Sequence, residues 1–194
     1  MRWLVPLVSA CAFGGPLVQP AFGQDSQAQS FAINAYAQSV CSLSLPKTTQ
    51  ASNMALGAGS GIQPVISIPS LHDGKTAQLQ PASISLTLSM VCNRAHSLHI
   101  KTGSGGLRSQ TSSGAGAGFA NRVDYATHVN WGMVSGELQT SGVSNQATPH
   151  LHSPGAYSGN ITLQVLIHES GAGHLPLAAG TFTDTLTVTV SPHF

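Results

Sequence analysis

Histidine is the residue type with the most chemical potential in this sequence, which has nine histidines but only six acidic residues. His150 and His152 are two positions apart, so on a β-strand they would share one face and could bind a metal ion. His168, Glu169 and His174 form a looser group. Neither group has a further ligand at metal-site spacing. We therefore expect polar surface histidines, with no obligatory metal site and no cofactor.

Catalytic signatures are missing from the sequence. It contains no G-x-S-x-G, G-x-G-x-x-G, Walker or H-E-x-x-H motif. The acidic residues are scattered, so a carboxylate pair or a Ser-His-Asp triad would have to be assembled by the fold. We therefore expect that the protein is not an enzyme and has no catalytic residues.

The first residues have the pattern of an export signal. A positive end, Met1-Arg2, precedes a mostly apolar run from Trp3 to Phe13, and Ala21-Phe22-Gly23 places small residues where signal peptidase cleaves. This predicts a signal peptide over residues 1–23 and a secreted protein. An alternative is the lipoprotein-like sequence Val8-Ser9-Ala10-Cys11, in which Cys11 would carry a lipid.

Removal of residues 1–23 would leave two cysteines, Cys41 and Cys92. Two cysteines in an exported chain usually form one disulfide. A loop of about 50 residues closed in this way is worth on the order of 4 kcal/mol in the chain-entropy account. Two free thiols or a metal-binding pair are the alternatives, and the latter lacks further ligands.

The charge content is unusually low and restricts the possible partners. Charged residues make up 7% of the chain, against roughly 25% in ordinary soluble domains. The net charge is +1 and no basic run occurs, so we do not expect nucleic acid as a partner. So few charges disfavour a free soluble monomer and suit a protein that is part of an assembly.

The C-terminal stretch Gly180–Val190 has the clearest strand pattern. Phe182, Leu186, Val188 and Val190 alternate with threonines, and Asp184 is the one polar residue on the apolar face. A period of two predicts a strand with one buried face. A glycine precedes this strand and a proline follows it.

The same alternation recurs upstream and predicts the fold class. It predicts strands over 83–92, 96–101, 122–131 and 157–168, with the second returning from the first as a hairpin, and a short edge strand over 64–69. Residues 47–61 and 102–121 are predicted to be loops. No window shows a 3.6-residue apolar period. We therefore predict an all-β, antiparallel sandwich.

A further strand-like segment precedes the first of these two cysteines. Phe31, Ile33, Ala35 and Ala37 lie on one face of an alternating stretch. The segment is either the start of one long bent strand over 31–45 or a strand separate from the domain. The predicted organisation is a signal peptide (1–23), an N-terminal extension with the candidate strand (24–38) and a β-sandwich domain (39–194).

Four motifs occur in order along the chain and carry a resemblance to a known family. They are Val40-Cys41-Ser42-Leu43; Ser89-Met90-Val91-Cys92-Asn93; Arg122-Val123-Asp124-Tyr125 leading to Trp131-Gly132; and Gly180-Thr181-Phe182-Thr183-Asp184-Thr185 followed by a strand. Together they resemble the spore coat protein U-like domain family, which includes the subunits of Csu-type archaic chaperone–usher pili. The resemblance covers essentially all of residues 24–194.

The resemblance implies an incomplete immunoglobulin-like sandwich that lacks its last strand. A periplasmic chaperone would fill the resulting groove first, and an outer-membrane usher would replace it with the N-terminal strand of a neighbouring subunit. Such a subunit passes through the periplasm to the cell surface. The donor face would be Phe31, Ile33, Ala35 and Ala37, and the groove-side strand would carry Phe182, Leu186, Val188 and Val190.

A second interpretation is a secreted sandwich that completes its own fold with residues 31–37. Such a protein would bind a ligand, such as a carbohydrate or a metal ion, through the loops at 102–121 and 141–156. The position of residues 31–37 relative to the groove distinguishes the two interpretations.

Overall fold

A computed structural model of the chain describes residues 28–59, 63–111 and 118–193. In these residues the structure is almost entirely antiparallel β-sheet, with no α-helix and one 3₁₀ turn at Glu169–Ala172. The predicted all-β class is therefore confirmed. The predicted signal peptide (1–23) and Cys11 lie outside the described residues. No helix in the described ranges is long and apolar enough to cross a membrane.

Backbone contacts divide the chain into two units, residues 1–36 and residues 37–194. All fourteen strands in the described residues belong to the second unit. They are β1 (Cys41–Leu43), β2 (Lys47–Ser52), β3 (Ala55–Ala58), β4 (Pro64–Ser67), β5 (Ala82–Cys92), β6 (His96–Thr102), β7 (Leu107–Ser109), β8 (Arg122–Val123), β9 (Ala126–Trp131), β10 (Val134–Gln139), β11 (Leu151–Ser153), β12 (Tyr157–Ile167), β13 (Phe182–Thr183) and β14 (Leu186–Pro192).

The main sheet has the strand order β1–β5–β12–β9–β10, and β2 also pairs with β5. Its two longest strands, β5 and β12, pair antiparallel over eleven residues each. Ile84, Leu86, Leu88 and Met90 of β5 are buried, as the alternation predicted, and Ala82 and Cys92 at its ends are buried on the same face. The two serines and one threonine between them lie on the other face, half-buried or exposed, so one face of the sheet is packed and the other is wet.

Three smaller sheets complete the second unit. One has the order β11–β6–β14, a second has the order β13–β7–β8, and β3 pairs only with β4. The predicted edge strand near Pro64 is thus confirmed, because β4 has a single partner. Leu98 and Ile100 of β6 pack in one hydrophobic cluster with Ile84 of β5 and Ile161 of β12. The core therefore lies between the main sheet and the β6 sheet, as in a sandwich.

Two predictions about connections are wrong. Residues 47–61 were predicted to be loop, yet they contain β2 and β3. Every residue of β2 is exposed, so β2 is a strand only because its backbone pairs with β5. Its sequence therefore shows no apolar alternation that could have predicted it. The predicted β5–β6 hairpin is also absent. Both edges of β5 are occupied, one by β12 and the other by β1 and β2, and β6 pairs instead with β11 and β14 in another sheet.

Residues 102–121 were also predicted to be a loop, and they contain β7. β7 pairs with β8 and with β13, and Leu107 packs partly buried against the core. The predicted C-terminal strand is interrupted after Thr183, so that β13 and β14 belong to different sheets. Asp184 and Thr185 lie at this break.

Candidate functional site: an apolar cavity beside the C-terminal strand

Among the residues that the structure describes, β14 has a partner on only one of its edges. It pairs antiparallel with β6 over all seven residues, from Leu186 opposite Thr102 to Pro192 opposite His96. In the described part of the chain, no strand pairs with the other edge. An unpaired edge presents a row of backbone N–H and C=O groups to which another strand can add.

An apolar cavity of about 580 Å³ lies beside β14. Its lining comes from β5 and β12 of the main sheet, from the β3–β4 hairpin and from β14 itself. Asp184 is the only charged side chain in the lining that the structure describes. The apolar side chains lining it are Leu43, Met54, Leu56, Val65, Ile66, Ile68, Leu86, Leu88, Leu107, Leu163, Val165, Ile167, Leu186 and Val188. A space of this composition favours an apolar occupant.

The predicted groove-side residues of the C-terminal strand take two positions. Leu186 and Val188 line the cavity, whereas Phe182 and Val190 pack partly buried against the core without lining it. All four are only half-buried. By contrast, Ile84 in the centre of the main sheet is 1% exposed. The C-terminal strand therefore retains apolar surface that a further element could cover.

The disulfide holds the start of the domain at the cavity. Cys41 on β1 is bonded to Cys92 on β5, and the two are direct cross-strand partners. The predicted disulfide is thus confirmed. Residues just after it, Leu43 and Ser44, contribute to the cavity lining, and β1 lies close to β14. The bond therefore fixes one wall of the cavity to the main sheet.

Asn93 fixes the segment that precedes the disulfide. Its side-chain amide donates to the carbonyl oxygen of Gln38 (2.7 Å), and its side-chain oxygen accepts from the amide of Val40 (2.9 Å). The backbone amide of Asn93 also donates to the backbone carbonyl of Val40 (3.1 Å). These three bonds anchor residues 38–40 beside Cys92.

Asp184 organises the polar end of the cavity. Its carboxylate accepts hydrogen bonds from the amides of Ser104 (2.7 Å) and Gly106 (3.1 Å) and from the hydroxyl of Tyr125 (2.9 Å). Gly106 has φ 133°, which a side chain would disfavour. Asp184 therefore joins β13 and β14 to the loop before β7, which explains a lone carboxylate on an otherwise apolar face.

Tyr125 is buried, and its hydroxyl faces the Asp184 carboxylate. Burial, and then the negative charge and hydrogen bond of Asp184, raise the pKa of Tyr125 far above its ordinary value. The phenol therefore remains protonated and donates to Asp184 throughout the neutral range. This interaction links the residue just before β9 of the main sheet to the break between β13 and β14.

The candidate donor residues Phe31, Ile33, Ala35 and Ala37 are all exposed. Phe31 is 82% and Ile33 is 93% exposed. No strand occurs between residues 28 and 40, so the alternation of 31–37 is not expressed as a strand in a single chain. The donor role of these residues stays a prediction.

The remaining sequence candidates are the histidine groups and the two predicted ligand-binding loops. No group of three or more His, Cys, Asp or Glu side chains in the described ranges is arranged as a metal site. The loops at 102–121 and 141–156 meet where the Gly142 amide donates to the Gly105 carbonyl (2.8 Å) and the Asn145 amide to the Gly103 carbonyl (3.1 Å). These loops therefore brace one another through backbone bonds.

No protein-family model and no curated protein matches this sequence.

Proposed function

We propose that this protein is a structural subunit of a secreted surface pilus or coat, assembled by donor-strand complementation. The observation that carries the proposal is the apolar cavity beside the unpaired edge of β14. Such an edge offers backbone hydrogen bonds, and the cavity offers a place for alternate apolar side chains. Strand addition requires both features.

The occupant in this proposal is the segment 31–37 of another copy or of a related subunit. Phe31, Ile33, Ala35 and Ala37 share one face when the segment is extended, and the two large side chains are almost fully exposed in a single chain. Burying Phe31 and Ile33 in an apolar cavity would stabilise the contact by about 1.5–3 kcal/mol each. The anchor at Asn93 would set where the segment leaves its own domain.

The proposal also includes the partners that strand addition requires. An uncovered apolar cavity beside an open edge promotes aggregation. A periplasmic chaperone would therefore cover the cavity of each subunit until an outer-membrane usher exchanges it for the segment 31–37 of the next subunit. The resemblance of the motifs around Cys41, Cys92 and Asp184 to spore coat protein U-like domains supports the same sequence of events.

The test is a charge on the donor face with a matched control on the opposite face. Ile33→Asp would place a carboxylate in the cavity without a partner, at a cost that the neighbouring alanines cannot offset. We expect the variant to fold and to bind its chaperone, because its own cavity is unchanged. Polymers should be lost, and the complex of monomer and chaperone should accumulate, as measured by size-exclusion chromatography and electron microscopy of surface extracts.

Asn34→Asp is the control, because it adds the same charge one residue away on the other face of an extended segment. This variant should polymerise like the natural chain. Normal polymers from Ile33→Asp would overturn the proposal. Failure of the Ile33→Asp monomer to fold would instead indicate that residues 31–37 complete their own domain.

A further inference from the structure

Four histidines form a row along the β11–β6–β14 sheet. The rings of His99 and His150 are stacked with centroids 4.5 Å apart, those of His150 and His152 are 6.4 Å apart, and those of His152 and His193 are 4.8 Å apart. His150, His152 and His193 are exposed and His99 is half-buried. The row is accessible from solvent.

Strand register, rather than flexible loop geometry, brings the last two of these histidines together. His152 on β11 and Ser191 on β14 both pair with Ser97 of β6, on opposite sides of it. His193 follows two residues after Ser191, and its amide donates to the carbonyl of Ala95 (2.9 Å). The backbone of His152 is therefore held by pairing with β6, and that of His193 by a hydrogen bond to the residue just before β6.

The ring nitrogens of this pair point at one another. Nδ1 of His152 and Nε2 of His193 are 2.8 Å apart and share one hydrogen bond. When a metal ion takes both nitrogens, the bridging proton moves to the other nitrogen of its own ring, so both imidazoles stay neutral. Two imidazole nitrogens bound to one zinc-sized ion, each at about 2.0–2.1 Å, lie roughly 3.3 Å apart in a tetrahedral site. An increase of about half an ångström, within the range of two exposed side chains, would thus admit a metal ion between them.

We propose that His152 and His193 form an accessory binding site for a divalent transition-metal ion that favours imidazole, such as Cu²⁺ or Zn²⁺. The two imidazoles bind the ion, and water completes its coordination. Folding does not depend on this site. The proposal is independent of strand addition.

The surrounding charges set the expected strength of the site. β6, β11 and β14 contain no Asp or Glu, and Lys101 on β6 is the one lysine or arginine among them. The ion would therefore keep its full charge, without carboxylates to neutralise it. This favours reversible binding of ions with high intrinsic affinity for imidazole, and Cu²⁺ leads the divalent series.

The test uses the full exported chain without a histidine tag and Cu²⁺ as the probe. We expect one Cu²⁺ per chain by equilibrium dialysis, and imidazole nitrogen couplings in its electron paramagnetic resonance spectrum. His152→Ala and His193→Ala should each weaken binding by at least about tenfold.

His72→Ala and His174→Ala are the controls, since both residues are exposed and lie outside the row. They should bind Cu²⁺ like the natural chain. Unchanged binding in both His152→Ala and His193→Ala would overturn the proposal. A natural chain that binds no Cu²⁺, or binds it without imidazole couplings, would do so as well. His152→Gln and His193→Gln repeat the comparison if either alanine variant is unstable.

Discussion

β5 and β14 are both alternating strands, and they differ in how many of their edges are paired. β5 has β12 on one edge and β1 with β2 on the other. β14 has β6 alone among the described residues. The inward side chains of β5 are almost completely buried, with Leu86 at 2% exposed, whereas Leu186 and Val188 of β14 are only half-buried.

This contrast indicates where the domain leaves backbone groups and apolar surface uncovered. A strand with two partners lies in the middle of a sheet, and its apolar face is covered from several sides. A strand with one partner leaves both backbone groups and apolar surface uncovered, and here the uncovered surface adjoins a cavity of about 580 Å³. This uncovered surface is where the segment 31–37 would add under the proposed function.

The largest effect is expected at the β5 side, where the disulfide links β1 to β5. Replacing Cys92 by Ser opens a bond between residues 51 positions apart. We expect this to reduce the free energy of unfolding by about 4 kcal/mol. Urea denaturation of the exported domain, with and without reductant, checks the value. The natural chain in reductant should match the variant, and equal stability of the oxidised natural chain and the variant would contradict the expectation.

The second prediction compares the interiors of the two strands directly. Ile84→Ala on β5 should lower the free energy of unfolding by about 3 kcal/mol, because the Ile84 side chain is buried. Val188→Ala on β14 should cost less than about 1 kcal/mol, because its side chain is half-covered. Adding a synthetic peptide of residues 28–38 should increase the cost of Val188→Ala and leave that of Ile84→Ala unchanged. Chemical denaturation of both variants measures this.

Thr189→Ala provides the control for this comparison, since Thr189 is the exposed neighbour of Val188 on the same strand. Adding the peptide should leave the loss of unfolding free energy caused by Thr189→Ala unchanged. If the peptide raises the costs of Val188→Ala and Thr189→Ala equally, then it acts on the whole strand rather than on the cavity, and the contrast between β5 and β14 would lose its functional meaning.

The sequence predicted the strands whose apolar side chains alternate into the core. β5, β12 and β14 all have this pattern. β5 and β12 lie within one residue of their predicted limits, whereas the predicted C-terminal strand is divided into β13 and β14. β2 was missed because all of its side chains are exposed, and only its backbone bonds to β5 make it a strand. The partners of β6 were not predicted, because a strand shows the same alternation of inward side chains whether it returns along β5 as a hairpin or crosses to a second sheet.

The candidate site was predictable only where a local pattern in the sequence marks its residues. Leu186 and Val188 stood out through their period of two, and the Cys41–Cys92 bond through the number of cysteines. The role of Asp184 was not predictable, because its partner Tyr125 is 59 positions away. The contact of His152 with His193 spans 41 positions and depends on the register of two strands on β6.

The last prediction concerns Tyr125, which lies just before β9 and whose hydroxyl bonds to Asp184 at the break before β14. Burial and Asp184 raise the pKa of Tyr125 in the folded protein well above the value of about 10 in an unfolded chain. Above pH 10 the unfolded state releases the phenol proton and the folded state keeps it. The unfolded state then binds fewer protons, so the free energy of unfolding falls as pH rises, by about 1.4 kcal/mol per pH unit.

Tyr125→Phe isolates this effect, because the variant keeps the ring and all other titratable groups. Near neutral pH the natural chain should be more stable by about 1.5–3 kcal/mol, the value of a hydrogen bond to a charged acceptor. That difference should stay constant up to about pH 9 and shrink above pH 10, as measured by urea denaturation at each pH. A difference that persists unchanged to about pH 11 would show that the phenol ionises equally in both states. In that case Asp184 would hold β14 through the amides of Ser104 and Gly106 alone.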